Sequence, residues 1–193
     1  PEPTESTLTW GFKESWRNYI TGPIAKGAIT ALAPATADAA HVVTWKNGVG
    51  DSVDLAAGSG SIAYEGGIHS EGHEGAMDQL LEDLEVTLTS TTTATLSAHV
   101  TQTEYATYSI PALNVDEIVF ADLAFPEGEL LSGTVTANAT LTEDGASIYG
   151  DMQALGYGPG DALDPVTFTV PVETAATAIT VENPTPAAPV VLG

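Results

Sequence analysis

The sequence has no cysteine, few cations and no long apolar run, and each absence removes a class of function. Without cysteine the chain can form no disulfide, no thiolate metal site and no cysteine nucleophile. No stretch approaches the roughly 18–20 consecutive apolar residues of a membrane-spanning helix, so membrane insertion of this segment is not expected. Hydrophobic residues nevertheless make up 43% of the 193 residues, which is enough for a globular domain with a core.

Basic residues are scarce and unevenly placed. Four lysines and arginines face 26 acidic residues, which gives a formal net charge of -22. Because such a surface repels phosphate backbones, nucleic-acid binding is not expected. Three of the cations, Lys13, Arg17 and Lys26, fall within one short segment. They are candidates for binding an anionic ligand group, or they pair with carboxylates such as Glu14; the sequence leaves both interpretations open.

Residues 10–20 form the best predicted helix. Residues at spacings of three and four share one face, namely Phe12, Ser15, Trp16, Tyr19 and Ile20. Thr9 is the expected N-cap, and the run Thr21-Gly22-Pro23 is expected to end the helix. This spacing places Ser15 one helical turn before Tyr19.

Most of the remaining chain predicts β-structure. Segments rich in threonine and valine, several of them alternating apolar and polar residues, occur at 61–64, 85–89, 93–100, 133–141, 166–170 and 178–181. Residues 76–84 suit either a helical turn or a strand. The predicted fold is mainly β, an antiparallel two-sheet sandwich or barrel-like domain with one or two short helices. It is expected to form a single domain over residues 1–182, followed by a Pro/Ala-rich tail or linker at 183–193.

Two of the four histidines lie close together in the middle of the chain. His69 and His73 are four residues apart, but the intervening Gly72 disfavours the helix that would place both on one face. A metal site assisted by Glu71 or Glu74 is one interpretation, and two solvated loop histidines are the commoner outcome. No nucleophile elbow, phosphate loop or dinucleotide fingerprint is present, and the acidic residues single out no catalytic pair, so no enzyme is predicted.

Three short segments of the chain resemble known sequence patterns, and they occur in the same order as those patterns. Residues 10–19 read W-G-F-K-E-S-W-R-N-Y, residues 72–78 read G-H-E-G-A-M-D, and residues 157–165 read Y-G-P-G-D-A-L-D-P. They resemble the patterns W-x-x-K-x-S-[FW]-x-x-Y, G-H-x-G-x-[LM]-D and Y-x-x-G-x-x-L-D-P of the haem-transport-associated (Htaa) domain of corynebacterial and related actinobacterial haem-binding proteins. The set spans residues 10–165, and its order makes it more specific than any one motif.

The resemblance implies a haem-binding protein rather than an enzyme, secreted or held at the cell surface. It would capture haem b with ferric iron from donor proteins or other carriers and pass it to an importer-associated protein. Tyr19 matches the axial iron ligand of the family, and His73 matches the histidine that hydrogen-bonds this tyrosine. Ser15 matches a residue that lines the site, and Tyr157 matches an aromatic residue at the pocket edge.

Elementary chemistry agrees with a tyrosine ligand. A free phenol has a pKa near ~10, so iron must stabilise the phenolate, and a hydrogen bond from His73 would help. Phenolate is a hard anionic ligand that favours ferric iron. The apolar wall of the haem slot is expected from Phe12, Trp16 and Ile20, while Lys13 and Arg17 are candidates to meet the propionates.

His69 departs from the family pattern, and three roles stay open for it: it replaces His73, assists it, or approaches the opposite haem face. Two other classes of protein also stay open. A ligand-free adhesive or structural β-sandwich would bury and hydrogen-bond Tyr19. A metal-dependent hydrolase would use His69 and His73 with acidic neighbours.

Overall fold

A computed structural model describes residues 5–171 of the chain. The predicted strand at 178–181 and the predicted tail at 183–193 lie outside these residues. Within residues 5–171, no helix is long and apolar enough to cross a membrane.

The described part of the chain is built mainly from strands. In chain order they are β1 (Leu8–Trp10), β2 (Ala28–Leu32), β3 (Thr36–Ala37), β4 (Val43–Asp54), β5 (Ser59–Glu65), β6 (Gly67–Gly72), β7 (Met77–Leu88), β8 (Thr93–Gln102), β9 (Leu113–Ala124), β10 (Thr134–Leu141) and β11 (Ala162–Thr169). The helices are α1 (Glu14–Thr21), α2 (Glu129–Ser132) and α3 (Glu143–Ser147), with 3₁₀ turns at His73–Gly75, Ala106–Tyr108 and Gly150–Leu155.

Eight of the strands close into an antiparallel barrel. Their order is β7-β5-β4-β1-β11-β10-β9-β8, and β8 pairs back onto β7. The long strand β7 has three neighbours, because its first half pairs with β6, its second half with β5, and its other edge with β8. Strands β6 and β2 extend the sheet beyond the barrel, and β3 pairs with β4. The prediction of a mainly β, antiparallel, barrel-like domain is confirmed.

Most of the predicted strands are found where apolar and polar side chains alternate along the sequence. In β10 the residues Val135, Ala137, Ala139 and Leu141 are buried, and the threonines between them face outward. The predicted segments within residues 5–171 fall in β5, β7, β8, β10 and β11, and the open segment 76–84 is strand within β7. Strands β1, β2, β3, β4, β6 and β9 were not predicted. In β4 the sequence Lys46-Asn-Gly-Val-Gly-Asp reads as turn chemistry, but its pairing with β5 overrides local preference.

The predicted helix starts later than expected. Residues 8–10 form β1, which pairs with both β4 and β11, and α1 begins only at Glu14. Phe12 has a positive φ of 61°, and this left-handed residue separates β1 from α1. The prediction of Thr9 as N-cap is wrong, since its hydroxyl lies 3.0 Å from that of Thr44 on β4. The helix ends at Thr21, one residue beyond the predicted last residue Ile20.

Candidate functional site

The helix α1 is fixed by its buried face. Trp16 and Ile20 are 1% and 0% exposed, and the indole Nε1 of Trp16 donates to Ser70 Oγ on β6 at 3.1 Å. Phe12 packs edge-on against Trp16 with ring centroids 5.8 Å apart and is also buried. These three residues hold the helix from inside the core and offer no surface to a ligand. The expectation that they form the wall of a ligand slot is therefore not met.

Tyr19 lies on the same helix, at the edge of the core. It is half-buried, and its Oη lies 2.6 Å from Nε2 of His73. The two residues are 54 positions apart, and the fold brings them into a hydrogen bond as the sequence motifs predict. A phenol that meets an imidazole nitrogen at this distance is set up for proton transfer between the two atoms.

His73 occupies a strained turn between β6 and β7. His73, Glu74 and Gly75 have φ values of 52°, 58° and 90°, so three successive residues lie in the left-handed region. For a histidine and a glutamate this conformation is costly unless the surroundings fix it. The backbone N–H of His73 donates to the carbonyl oxygen of Ala25 at 2.8 Å, which ties the turn to the segment after α1. The turn thus holds the imidazole against the helix.

Two tyrosines that were not predicted complete the surroundings of this pair. Tyr105 stacks on the His73 ring with centroids 5.1 Å apart and an interplanar angle of 17°. Tyr108 follows in the 3₁₀ turn between β8 and β9, and its ring lies 5.8 Å from that of Tyr105. Two of the six tyrosines of the chain lie in the run Tyr105-Ala-Thr-Tyr108. This density was the one signal in the sequence that could have pointed to the segment.

Burial raises the pKa of Tyr19 well above its ordinary value, and the nearby phenols of Tyr108, Tyr105 and Tyr157 raise it further. Each neighbour disfavours a negative charge on the Tyr19 oxygen. At neutral pH the Tyr19 side chain is therefore a neutral phenol. The phenolate needs an additional positive partner to form.

Ser15 and Tyr157 form a second pair, one helical turn before Tyr19. The Ser15 Oγ lies 2.8 Å from the Tyr157 hydroxyl. Tyr157 itself is only 4% exposed and packs against Tyr149, with ring centroids 5.4 Å apart. Burial raises its pKa, and the bond to Ser15 opposes that shift. The structure thus brings the four predicted site residues together as two hydrogen-bonded pairs, and Tyr157 contributes mainly from the core side.

The two cations near the helix are held by the protein itself. Arg17 donates to the carbonyl oxygens of Gly11 and Ala40 at 3.0 and 3.1 Å and forms an ion pair with Asp164. Lys13 donates to the Gly156 carbonyl oxygen, and its Nζ lies 5.0 Å from the centre of the Tyr157 ring. Pairing with a carboxylate is therefore the correct interpretation for Arg17, although the partner is not Glu14. The contacts with Gly156, Tyr157 and Asp164 fasten α1 to residues 156–164.

His69 does not join the Tyr19–His73 pair. It lies on β6, and its Nε2 is 2.8 Å from Oδ1 of Asp78 and 3.9 Å from Oε2 of Glu71. His73 bonds instead to Tyr19, so the two histidines have different partners. A metal centre that uses both histidines, as a hydrolase would need, does not match this arrangement.

Comparisons with known proteins find matches to this chain both in sequence and in structure. The Htaa family model matches residues 5–169. Among solved structures, the C-terminal domain of HtaA from Corynebacterium glutamicum is 27% identical with a TM-score of 0.73, over 86% of this chain and 95% of that one. The N-terminal domain of the same protein is 26% identical with a TM-score of 0.72, over 88% and 99%. The heme binding protein HtaB from the same organism is 23% identical with a TM-score of 0.69, over 86% and 92%, and shows the fold alone. No curated protein matches.

Proposed function

The chain belongs to the Htaa family, and we propose that it binds haem b, with the Tyr19 phenolate as the axial ligand of ferric iron. The observation that carries the proposal is the 2.6 Å contact between Tyr19 Oη and His73 Nε2 at a half-buried position. An aromatic residue that serves only packing needs neither a titratable partner nor access from solvent. Tyr19 has both.

The surroundings of Tyr19 fit a flat apolar ligand. Tyr105 and Tyr108 are half-buried and present aromatic surface beside the oxygen. We infer that the porphyrin lies over the helix on this side, outside the core.

The proton of Tyr19 determines how the site works. Burial and the neighbouring phenols keep the side chain neutral in the absence of iron. Binding to ferric iron requires the phenolate, and Nε2 of His73 is placed to accept the proton from Oη. A protonated His73 would then donate a charge-assisted hydrogen bond to the phenolate. Such bonds to charged groups contribute roughly 1.5–3 kcal/mol.

This proton exchange suits a carrier rather than an enzyme. A phenolate ligand stabilises ferric iron, and protonation of the same oxygen weakens the bond, so the site can both capture and release its ligand. We propose that the protein acts outside the cytoplasm, secreted or at the cell surface. There it would take haem from donor proteins or other carriers and deliver it to an importer-associated protein. Ser15, bonded to Tyr157, would line the side of the site toward the start of α1.

An absorption titration of the haem-free protein with ferric haem tests this proposal. We expect a saturable one-to-one change in the Soret band, together with charge-transfer bands of a ferric phenolate complex. Tyr19→Phe should abolish these features, because it removes only the oxygen. Tyr64→Phe is the matched control, since the Tyr64 hydroxyl bonds to the Thr169 carbonyl oxygen at the other end of the sequence and not to His73. A saturable spectrum that Tyr19→Phe leaves unchanged would refute the ligand assignment. No saturable change in the native protein would favour a ligand-free structural domain.

A further inference from the structure

A second polar cluster lies on the outer face of the sheet formed by β6 and β7. Along β6 the residues Ile68, Ser70 and Gly72 are buried, so His69 and Glu71 between them face outward. Asp78 on β7 lies between buried neighbours, and the register pairs it directly with Glu71. The cluster is thus on the opposite face of the sheet from Ser70, which bonds to Trp16 of α1.

The two carboxylates of this cluster oppose each other without a strong cation between them. Like charges directly across an antiparallel pair destabilise the sheet. Among residues 5–171, Glu71 and Asp78 each have a single ion-pair partner, and in both cases it is His69. Lys26 lines the same surface depression as Glu71, but its ammonium group is not within ion-pair distance of either carboxylate. In a chain of net charge -22, this is a place where a cation would relieve repulsion.

We propose that His69, Glu71 and Asp78 form a binding site for a divalent transition-metal ion of the Zn²⁺ class. Their ligand atoms all lie within 4.8 Å of one another. Tetrahedral Zn²⁺ with bonds of about 2.1 Å separates its ligand atoms by roughly 3.4 Å. The distances from His69 Nε2, 2.8 Å to Asp78 Oδ1 and 3.9 Å to Glu71 Oε2, lie on either side of this value. Small rotations of partly exposed side chains complete the site, and water takes the fourth position.

The ligand types determine which ions the site prefers. An imidazole nitrogen favours Zn²⁺ and its transition-metal neighbours over Ca²⁺ and Mg²⁺, which favour oxygen alone. Binding of the ion at His69 Nε2 would replace the hydrogen bond that this nitrogen now forms with Asp78 Oδ1. Because the ligands come from both β6 and β7, the bound ion would also clip together the two strands that flank the turn His73–Gly75. Metal binding therefore stabilises the hairpin that carries His73, although the site does not depend on haem binding.

Isothermal titration of the haem-free full chain with ZnCl₂ tests the site. We expect one saturable site per chain, and we expect His69→Gln, Glu71→Gln and Asp78→Asn each to weaken it by at least roughly tenfold. His99→Gln is the matched control, because His99 also faces outward but bonds to the amide of Asn114, at 3.0 Å. CaCl₂ should bind more weakly than ZnCl₂ to the native chain.

Thermal unfolding gives a second readout. At a hundredfold excess of Zn²⁺ over its Kd, the native chain should gain roughly 5–10 °C in Tm, and Asp78→Asn should gain little. All three substitutions lie on the solvent face, so circular dichroism should show unchanged folds. The proposal is overturned if zinc affinity is the same in His69→Gln and Asp78→Asn as in the native chain. It is equally overturned if zinc binds only weakly to many equivalent positions, or if His73→Ala alone removes the site.

Discussion

Substitution of His73 tests whether this residue only supports the iron ligand Tyr19 or is itself the ligand. If His73 donates a charge-assisted hydrogen bond to the Tyr19 phenolate, its loss costs roughly 1.5–3 kcal/mol of haem binding. Since each 1.4 kcal/mol changes an equilibrium constant about tenfold, His73→Ala should weaken binding by roughly 10- to 150-fold. The 2.6 Å distance between Tyr19 Oη and His73 Nε2 supports the upper part of this range. The phenolate ligand, and with it the type of spectrum, should remain.

The assay follows the rate at which haem leaves the protein for an excess of apomyoglobin, by stopped-flow absorption. Because His73 has a φ of 52°, alanine adds backbone strain of its own, so His73→Asn is the necessary companion. Asparagine tolerates this conformation, and its shorter side chain cannot take the place of Nε2. Both variants should release haem faster by a similar factor, and His99→Ala should not. An unchanged rate in both variants would refute the reasoning, and complete loss of the spectrum would make His73 itself the ligand.

Three further predictions concern the packing around the site and in the core. Tyr105→Leu removes the ring stacked on His73, so haem should dissociate a few-fold faster while the ligand spectrum is retained; an unchanged rate would mean that stacking does not position the imidazole. Burial raises the pKa values of Tyr64 and Tyr149 above that of an unfolded phenol, near ~10, so the folded state holds these protons longer. Their contribution to stability is complete below pH ~10 and is lost as the pH rises further, so Tm should fall between about pH 10 and 12; a flat profile would contradict the assignment. Trp16→Ala should cost about 3–5 kcal/mol in the free energy of unfolding measured with urea, and a cost below about 1 kcal/mol would show that α1 is not anchored by this residue.

The sequence predicts those parts of the fold whose signals are local. The end of α1 at Thr21 follows from the Gly22-Pro23 stop, and β10 follows from alternating apolar residues between threonines. The pairing of Tyr19 with His73 is not local, and residue periodicity alone does not predict it. It was predicted through the resemblance of three ordered segments to a family, and the two residues do lie in contact.

Other features depend on contacts that no local pattern reveals. The sequence around Trp10 is compatible with either a helix or a strand. It forms a strand because β1 pairs with both β4 and β11. Tyr105 reaches His73 only because the turn after β8 lies beside the turn after β6. Arg17 forms an ion pair with Asp164, which is 147 residues away in the sequence. The sequence therefore did not reveal that this cation already has an anionic partner. In each case tertiary pairing outweighs the preference of the local sequence.

The most direct test of the account is a crystal structure of the protein with ferric haem. The account predicts electron density that joins the iron to Tyr19 Oη, with His73 Nε2 still in hydrogen-bond contact with that oxygen and the porphyrin beside Tyr105 and Tyr108. Iron bound to any other side chain, or haem bound away from α1, would contradict it.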